Sequence, residues 1–209
     1  QPTWPRIDWD RIAAATGTRV GALQHLVPPE AAGDGVRWAE VTARVQAEVV
    51  KTGVELLRRL KYRPTGGFAQ FYLTDPSPAG GFGVLDHDRR PKPAWQALVD
   101  ACRPVIVVAD PLPAVLEPGD VHSLAVHVVS DRRDPLSAAR VRATIRTRNG
   151  ADVVGEQAQV WDGDIPADDC VLVGHATVVV PTDASELEVD LELLADDLTV
   201  SNRYRAPVR

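Results

Sequence analysis

The second half of the sequence contains seven short runs of β-branched and alternating apolar residues, separated by turn-forming residues. They are residues 105–109, 122–130, 139–148, 155–161, 171–180, 187–194 and 199–206. Within them Leu124, Val126 and Val128 recur at every second position, which is the period of a strand with one buried face. Asn149-Gly150 and similar pairs mark the turns. Seven alternating strands can close a two-sheet core, so we predict a β-sandwich for residues 105–209.

The number and spacing of these strands are typical of an immunoglobulin-like sandwich. The Cys–Trp–Cys spacing of antibody domains is absent, so the prediction covers the architecture alone. Cys102 and Cys170 are far apart in sequence and in different predicted modules. Two isolated cysteines indicate neither a disulfide framework nor a zinc site, and we expect two buried thiols.

The first half of the sequence has a different pattern. Apolar residues between 38 and 60 recur at three- and four-residue steps, which predicts an amphipathic helix of about six turns. Residues 68–73 form a nearly continuous apolar run, typical of a strand covered on both faces. A second helix is predicted for 93–102, with Pro93 in its first turn, and a short one near 8–15, with Asp8 as cap.

Helix, buried strand and helix form one α/β unit, and a single buried strand needs neighbouring strands. The sequence also starts at Gln1 and has no methionine. We therefore expect a fragment of a larger protein, ahead of the alternative of a mature chain after signal cleavage. The predicted fold class is an α+β fragment in which an α/β unit precedes an all-β sandwich.

The net charge of −6 is divided unevenly. Residues 1–104 carry 14 Lys and Arg against 11 Asp and Glu, whereas residues 105–209 carry 9 against 18. Nucleic-acid binding needs clustered basic residues, so the acidic half argues against such a partner. No apolar run has the roughly 18 residues of a membrane span. We expect no nucleic acid, no membrane, no metal and no cofactor, and the cytoplasm is only slightly favoured as compartment.

Three motifs follow one another after the first long helix. They are Phe71-Tyr72-Leu73-Thr74-Asp75-Pro76, Gly81-Phe82-Gly83-Val84-Leu85-Asp86 and Arg89-Arg90-Pro91-Lys92-Pro93-Ala94-Trp95. In this order they resemble the C-terminal part of glycoside hydrolase family 2, particularly its β-mannosidase-like branch. The motifs cover residues 37–105, and residues 105–209 resemble the family in architecture. Phe71 stands where the family has Trp, Thr74 where it has Asn, and Gly81-Phe82 where it has Ser-Trp.

The resemblance implies that residues 1–104 are the end of a (β/α)8 TIM barrel and that 105–209 are the sandwich behind it. It also implies a retaining glycosidase acting on β-mannoside- or β-galactoside-like bonds, with two catalytic glutamates that lie before Gln1. Such enzymes need two carboxyl groups about 5–5.5 Å apart. We therefore expect no catalytic residue in this chain and no activity from it alone. Its partner would be a carbohydrate held mainly by the missing barrel.

Five residues are the predicted substrate-binding set: Asp75, Phe71, Tyr72, Thr74 and Phe82. Asp75 follows the apolar run, and barrel enzymes place functional side chains at that end of a strand. Its alternative is a turn cap, and the alternative for Phe71 and Tyr72 is the core. Along a strand these two rings would point to opposite sides, with Phe71 toward the barrel axis.

Other polar residues favour structural interpretations. Asp162, Asp164, Asp168 and Asp169 fit no calcium loop and indicate a solvated turn, and the histidines at 122, 127 and 175 lack metal-ligand spacing. We expect the glutamates at 40, 48 and 55 on a solvated helix face.

Two other functions remain open at this point. A non-catalytic carbohydrate-binding or interaction sandwich needs exposed aromatics, and the second half offers only Trp161 and Tyr204. An adhesion-type secreted protein is disfavoured by the unpaired α/β unit.

Overall fold

The computed structural model describes residues 4–16, 20–78, 81–195 and 198–209. The chain divides into two compact units. Unit 1 comprises residues 1–56 and 67–102, and unit 2 comprises residues 57–66 and 103–209. The assignment of residues 1–104 to a barrel end stays a prediction.

The predicted helices are confirmed, with shifted ends. The described helices are α1 (Trp9–Thr16), α2 (Gly21–Leu26), α3 (Gly35–Arg59) and α4 (Pro93–Ala101), with a 3-10 turn at Pro29–Ala32. Asp8 caps α1 by accepting a hydrogen bond from the Arg11 amide at 3.0 Å. Asp34 caps α3 in the same way at the Arg37 amide, 2.8 Å, which explains why α3 begins before the predicted position. None of the described helices is long and apolar enough to span a membrane.

The long helix α3 buries different residues from those expected. Val54 is buried, whereas Val49 and Leu56 of the predicted apolar stripe are 62% and 41% exposed. Glu55, predicted to be solvated, is only 5% exposed, and its Oε1 lies 3.5 Å from Nζ of Lys51 one turn earlier. A nearby ammonium offsets part of the cost of burying a carboxylate.

The predicted buried strand at residues 68–73 is wrong. These residues have no regular secondary structure, and Phe68 and Leu73 are 41% and 58% exposed. An isolated bridge between Thr74 and Leu85 is the nearest pairing. A strand buried on both faces needs strands beside it, and the described part of unit 1 supplies none.

Unit 2 is a sandwich of two antiparallel sheets, and all seven predicted strands are confirmed. They are β1 (Val105–Ala109), β2 (Val121–Ser130), β3 (Leu136–Asn149), β4 (Asp152–Ile165), β5 (Cys170–Val179), β6 (Glu186–Ala195) and β7 (Leu198–Pro207). One sheet has the order β1-β2-β5 and the other β4-β3-β6-β7. In constant-type immunoglobulin domains the fourth strand belongs to the same sheet as the first, second and fifth. Here β4 instead belongs to the sheet that contains β3, β6 and β7.

The core of unit 2 follows from alternation along the strands. Leu187, Val189, Leu191 and Leu193 of β6 are each at most 1% exposed, because residues two apart point to the same face. They join Val126 and the other inward residues of both sheets in one apolar cluster. The alternation read from the sequence therefore corresponds to the buried layer.

Polar side chains bridge the two sheets where their edge strands meet; we call these two places, between β4 and β5 and between β7 and β1, the seams of the sandwich. At one seam, Gln159 of β4 donates to the Thr177 carbonyl at 3.0 Å and accepts from the Thr177 amide at 3.2 Å. At the other, Asn202 of β7 donates to the Val107 carbonyl at 2.9 Å, and the Ala109 amide donates to the Tyr204 hydroxyl at 3.1 Å. These contacts satisfy backbone groups on the edge strands β5 and β1.

The outer face of the four-stranded sheet carries a buried carboxylate. Glu188 is 1% exposed, and its Oε2 accepts hydrogen bonds from Arg205 at 2.7 and 2.6 Å. Arginines 146, 148 and 203 bring guanidinium nitrogens within 3.6–3.7 Å of the same carboxylate. Their long side chains cover Glu188 although it points away from the core.

Segment 57–66 belongs to unit 2 through polar contacts. Nζ of Lys61 lies 2.6 Å from Asp131 and 2.6 Å from Asp168, and Arg58 donates to Asp131 at 2.8 Å. Burial alone would lower the pKa of Lys61, but the hydrogen bonds and charges of the two aspartates outweigh it and raise that pKa.

Candidate functional site

The five predicted site residues lie in one loop region of unit 1. Phe71 is 79% exposed, and Tyr72 and Phe82 are each 45% exposed. Thr74 is half-buried, and Asp75 is only 5% exposed. This region thus exposes three aromatic rings to solvent and contains a buried carboxylate. Whether these residues bind a sugar stays a prediction.

Both oxygens of the Asp75 carboxylate are occupied. Oδ1 accepts a hydrogen bond from the Gly83 amide at 2.8 Å, and Oδ2 accepts one from Nζ of Lys92 at 2.9 Å. The side chains of Asp75 and Lys92 are 3% and 17% exposed, respectively. A buried charge that loses its partner is strongly unfavourable. Asp75 therefore joins the loop to Lys92, as a site-supporting residue would.

Gly83 is glycine because its backbone approaches Asp75 closely. A Cβ at this position would lie 2.5 Å from the Asp75 amide nitrogen and 2.6 Å from the Thr74 carbonyl carbon. Both atoms belong to the backbone and cannot rotate away. The close approach is what brings the Gly83 N–H to the carboxylate.

A turn returns Lys92 to Asp75. Oδ1 of Asp86 accepts hydrogen bonds from the Asp88 amide at 2.9 Å and the Arg90 amide at 2.8 Å. The Lys92 amide then donates to the Val84 carbonyl at 3.0 Å. The motif at residues 81–95 that carries the family resemblance is therefore used to build this local structure.

The carbonyls on either side of Phe82 are also fixed. Nε2 of Gln46 on α3 lies 3.0 Å from the Gly83 carbonyl and 3.5 Å from the Gly81 carbonyl. Nζ of Lys92 lies 3.2 Å from the Gly81 carbonyl, and Gln70 donates to the carbonyl of Phe82 itself at 3.4 Å. Sequence reasoning assigned no role to Gln46, Gly83 or Lys92. The glycines on either side of Phe82 could have indicated a close backbone approach in this loop. No feature of the sequence indicated a role for Gln46.

The two neighbouring aromatic rings are in contact with each other. The centroids of Phe71 and Tyr72 are 4.5 Å apart with an interplanar angle of 72°, an edge-to-face arrangement. The opposite orientation predicted for adjacent strand residues does not hold, because the segment is not a strand. Both exposures also rule out the core interpretation for this pair.

The acidic residues at 162–169 are used separately. Asp162 pairs with Arg140 at 2.6 Å, Asp164 accepts from the Ala138 amide at 2.8 Å, and Asp168 pairs with Lys61. The hydrogen bonds of Lys61 and Tyr62 lower the pKa of Asp168. No group of three or more potential ligands in the described residues has a metal-binding arrangement.

The remaining titratable candidates are structural. Burial, followed by the charge of Arg59, lowers the pKa of His127, and burial raises the pKa of the half-buried Cys170. Cys102, predicted to be buried, is exposed; it follows the last residue of α4. Trp161 and Tyr204 are partly buried against the core and form no exposed aromatic row.

Solved structures share this fold over most of the chain. The β-D-mannosidase of Dictyoglomus thermophilum matches 92% of this chain with a TM-score of 0.69 and 20% identity. The exo-chitosanase CsxA of Amycolatopsis orientalis, in complex with PNP-β-D-glucosamine, matches 83% with a TM-score of 0.57 and 20% identity. The chain corresponds to 23% and 19% of those two proteins, less than a quarter of their length.

These likenesses support a family 2-like fold and single out no member of that family. At this level of identity they establish the fold alone. No family model and no curated protein matches the sequence.

Proposed function

We propose that this chain is the C-terminal portion of a retaining glycoside hydrolase that acts on β-mannoside- or β-galactoside-like O-glycosidic bonds. In this proposal unit 1 is the end of a TIM barrel and supplies part of the sugar-binding rim. Unit 2 is the sandwich that follows the barrel. Both catalytic carboxylates lie in parts of the protein outside these 209 residues.

The observation that carries the proposal is the loop with Phe71, Tyr72 and Phe82 on a fold shared with two glycosidases. Sugar rings have apolar faces that pack on aromatic side chains, and clustered exposed apolar surface often marks a binding site. The loop is held by the buried pair of Asp75 and Lys92, 2.9 Å apart. A fixed loop with exposed rings suits a binding surface better than a connection between helices.

A second observation supports the barrel part of the proposal. Apolar side chains of unit 1 that a sheet would cover are exposed, among them Val49 at 62% and Leu73 at 58%. Further barrel strands from the rest of the protein would cover such side chains.

The buried carboxylate of this loop does not suit the catalytic step. Asp75 is the acidic residue nearest the aromatic rings in sequence, and both its oxygens accept hydrogen bonds. A retaining mechanism needs one carboxylate as nucleophile and another as acid and base. We therefore assign Asp75 to the support of the site and no residue of this chain to catalysis.

The test compares this chain with the full-length protein. The full-length protein is expected to hydrolyse a nitrophenyl mannoside, galactoside or glucuronide, and this chain alone is expected to release no nitrophenol above a blank. In the full-length protein Asp75→Ala should lower kcat/KM by about tenfold or more, equivalent to ~1.4 kcal/mol. Hydrolysis by the purified chain, or an inactive full-length protein, would refute the assignment.

A further inference from the structure

We infer that Gln46 and Lys92 are positioning residues that hold Phe82 in one place as a preformed contact for a sugar ring. This inference rests on the proposed function and deepens it. Phe71 lies in a segment, residues 67–71, for which no backbone–backbone hydrogen bond is described. Phe82 is therefore the ring on which the local structure converges.

The backbone around Phe82 is fixed on both sides. The Gly81 carbonyl accepts from Lys92 at 3.2 Å, and the Gly83 carbonyl accepts from Gln46 at 3.0 Å. The Gly83 amide donates to Asp75 at 2.8 Å. Four side chains in all, counting Gln70 at the Phe82 carbonyl, bind three consecutive residues.

The groups that do this come from distant parts of the sequence. Gln46 lies on α3, 37 residues before Gly83, whereas Lys92 precedes α4. One residue of α3 and the residue just before α4 thus bind the same tripeptide. The Phe82 ring itself is 45% exposed, so these contacts do not serve to bury it. Fixing an exposed side chain in advance lowers the entropy lost on binding.

Phe71 provides a contrast within the same loop. Its ring is 79% exposed and contacts Tyr72. Residues 67–71 have no backbone–backbone hydrogen bond among those described for unit 1, although the Gln70 side chain lies 3.4 Å from the carbonyls of Tyr72 and Phe82. A ring in such a segment can adapt to a ligand. Phe82 instead offers one fixed surface, which suits discrimination between sugars of different stereochemistry.

The first experiment measures the position of Phe82 directly. This 209-residue chain contains three phenylalanines. Labelling it with 4-fluorophenylalanine therefore gives three fluorine NMR signals, which are assigned by replacing each phenylalanine with Leu. Gln46→Glu keeps the length of the side chain but removes the donor. We expect it to broaden, split or shift the Phe82 signal and leave the Phe68 and Phe71 signals unchanged.

The NMR experiment includes one control variant and one variant that removes the Lys92 contact. Arg44→Leu changes an exposed residue of the same helix and should leave all three signals unchanged. The double variant Asp75→Asn, Lys92→Met removes both charges of the buried pair together, so the fold is retained while the contact with the Gly81 carbonyl is lost. An unchanged Phe82 signal in both Gln46→Glu and the double variant would overturn the positioning role.

The second experiment measures the effect on sugar binding in the full-length protein. Gln46→Glu should raise KM about fivefold and leave kcat within about twofold, because ground-state and transition-state binding are weakened alike. In a Phe82→Leu background the same change should have no further effect. If the two changes are additive instead, Phe82 is not the ring through which Gln46 acts.

The two experiments separate the inference from the proposed function. A full-length wild-type protein without glycosidase activity would overturn the proposed function and the sugar contact with it. The NMR result would still decide whether Gln46 and Lys92 fix Phe82.

Discussion

Unit 1 and unit 2 differ most in how much apolar surface they bury. The described residues of unit 2 include a core from both sheets with six leucine and isoleucine side chains at most 2% exposed. The buried apolar side chains described in unit 1 are three valines, two alanines and one proline: Val27, Val54, Val84, Ala94, Ala101 and Pro29. Burial of apolar area is the main stabilising term in folding.

Unit 1 compensates for its small core with polar contacts. Its loop depends on Asp75, Lys92 and Gly83, whereas unit 2 uses ion pairs mainly on its outer surface. Unit 2 therefore has the large apolar core expected of a module that folds by itself. The small core of unit 1 is what we expect of a module that needs a partner.

Separating the halves should give the largest difference. Residues 105–209, expressed alone, should unfold in one cooperative thermal transition followed by circular dichroism, because seven strands close their own core. Residues 1–104 alone should show no cooperative transition. A cooperative melt for 1–104 and none for 105–209 would reverse the comparison.

Within unit 2, Glu188→Ala should be the most damaging single change. It removes a carboxylate that is 1% exposed and leaves the surrounding arginines without their shared partner. We expect a loss of about 3 kcal/mol in the free energy of unfolding, at the lower end for a broken buried pair because the arginines are partly hydrated.

Urea unfolding of the intact chain measures this loss. Glu192→Ala is the control, since Glu192 lies on the same strand and is exposed, and it should change stability by less than about 0.5 kcal/mol. Equal losses for both variants would mean that burial of Glu188 contributes nothing.

Within unit 1, Gly83→Ala should disturb the loop. The added Cβ would meet the Asp75 backbone at 2.5 Å, so the loop must move and the carboxylate must lose its amide donor. We expect a cost of about 1–3 kcal/mol and faster proteolysis between residues 70 and 85. Gly67→Ala is the control, because no atom lies within 4 Å of its added Cβ, and protection in both variants would contradict the proposed close approach.

The smallest expected effect is the pH dependence that His127 gives to the stability of unit 2. Burial and the charge of Arg59 lower the pKa of His127 in the folded state, so the unfolded state binds the proton more tightly. This contribution to stability is fully present above the unfolded pKa of about 6.5 and is lost as pH falls toward the folded pKa. His127 is half-buried, so the loss should stay below about 1 kcal/mol.

Thermal melts of the intact chain between pH 8 and 5 measure this dependence. His127→Gln should flatten it, and His87→Gln, at an exposed histidine of unit 1, should not. The pKa of Asp110 is lowered instead, since the Ala125 amide and Arg59 outweigh its burial. Its stability contribution is therefore lost only below about pH 3.8, outside the window used. An unchanged slope in His127→Gln would contradict the assignment.

The sequence predicted unit 2 better than unit 1 for a physical reason. Alternation over Leu187–Leu193 is a local signal, and turn-forming residues such as Asn149-Gly150 mark where strands end. Every strand could therefore be placed from the sequence. Burial at residues 68–73 depends instead on strands from elsewhere. An apolar run alone cannot reveal whether those strands are present, and this run is exposed in the described chain.

The loop contacts had no comparable signal. Asp75 and Lys92 are 17 residues apart, with no periodicity joining them, and Gln46 lies on a helix whose pattern concerns apolar residues. Glu188 also escaped prediction. Alternation with Leu187 and Val189 places it on the outer face, but its burial arises from the length of the arginine side chains around it.

The seams of the sandwich have a consequence for the behaviour of many copies together. An exposed strand edge offers N–H and C=O groups to any extended chain that meets it, which leads to strand exchange or fibres. At Thr177, Val107 and Ala109 those groups are already bound by side chains of the same molecule. An incoming strand would have to displace a glutamine, an asparagine and a tyrosine before it could pair there. The smaller sheet should therefore remain unavailable for self-association at these positions even in concentrated solution.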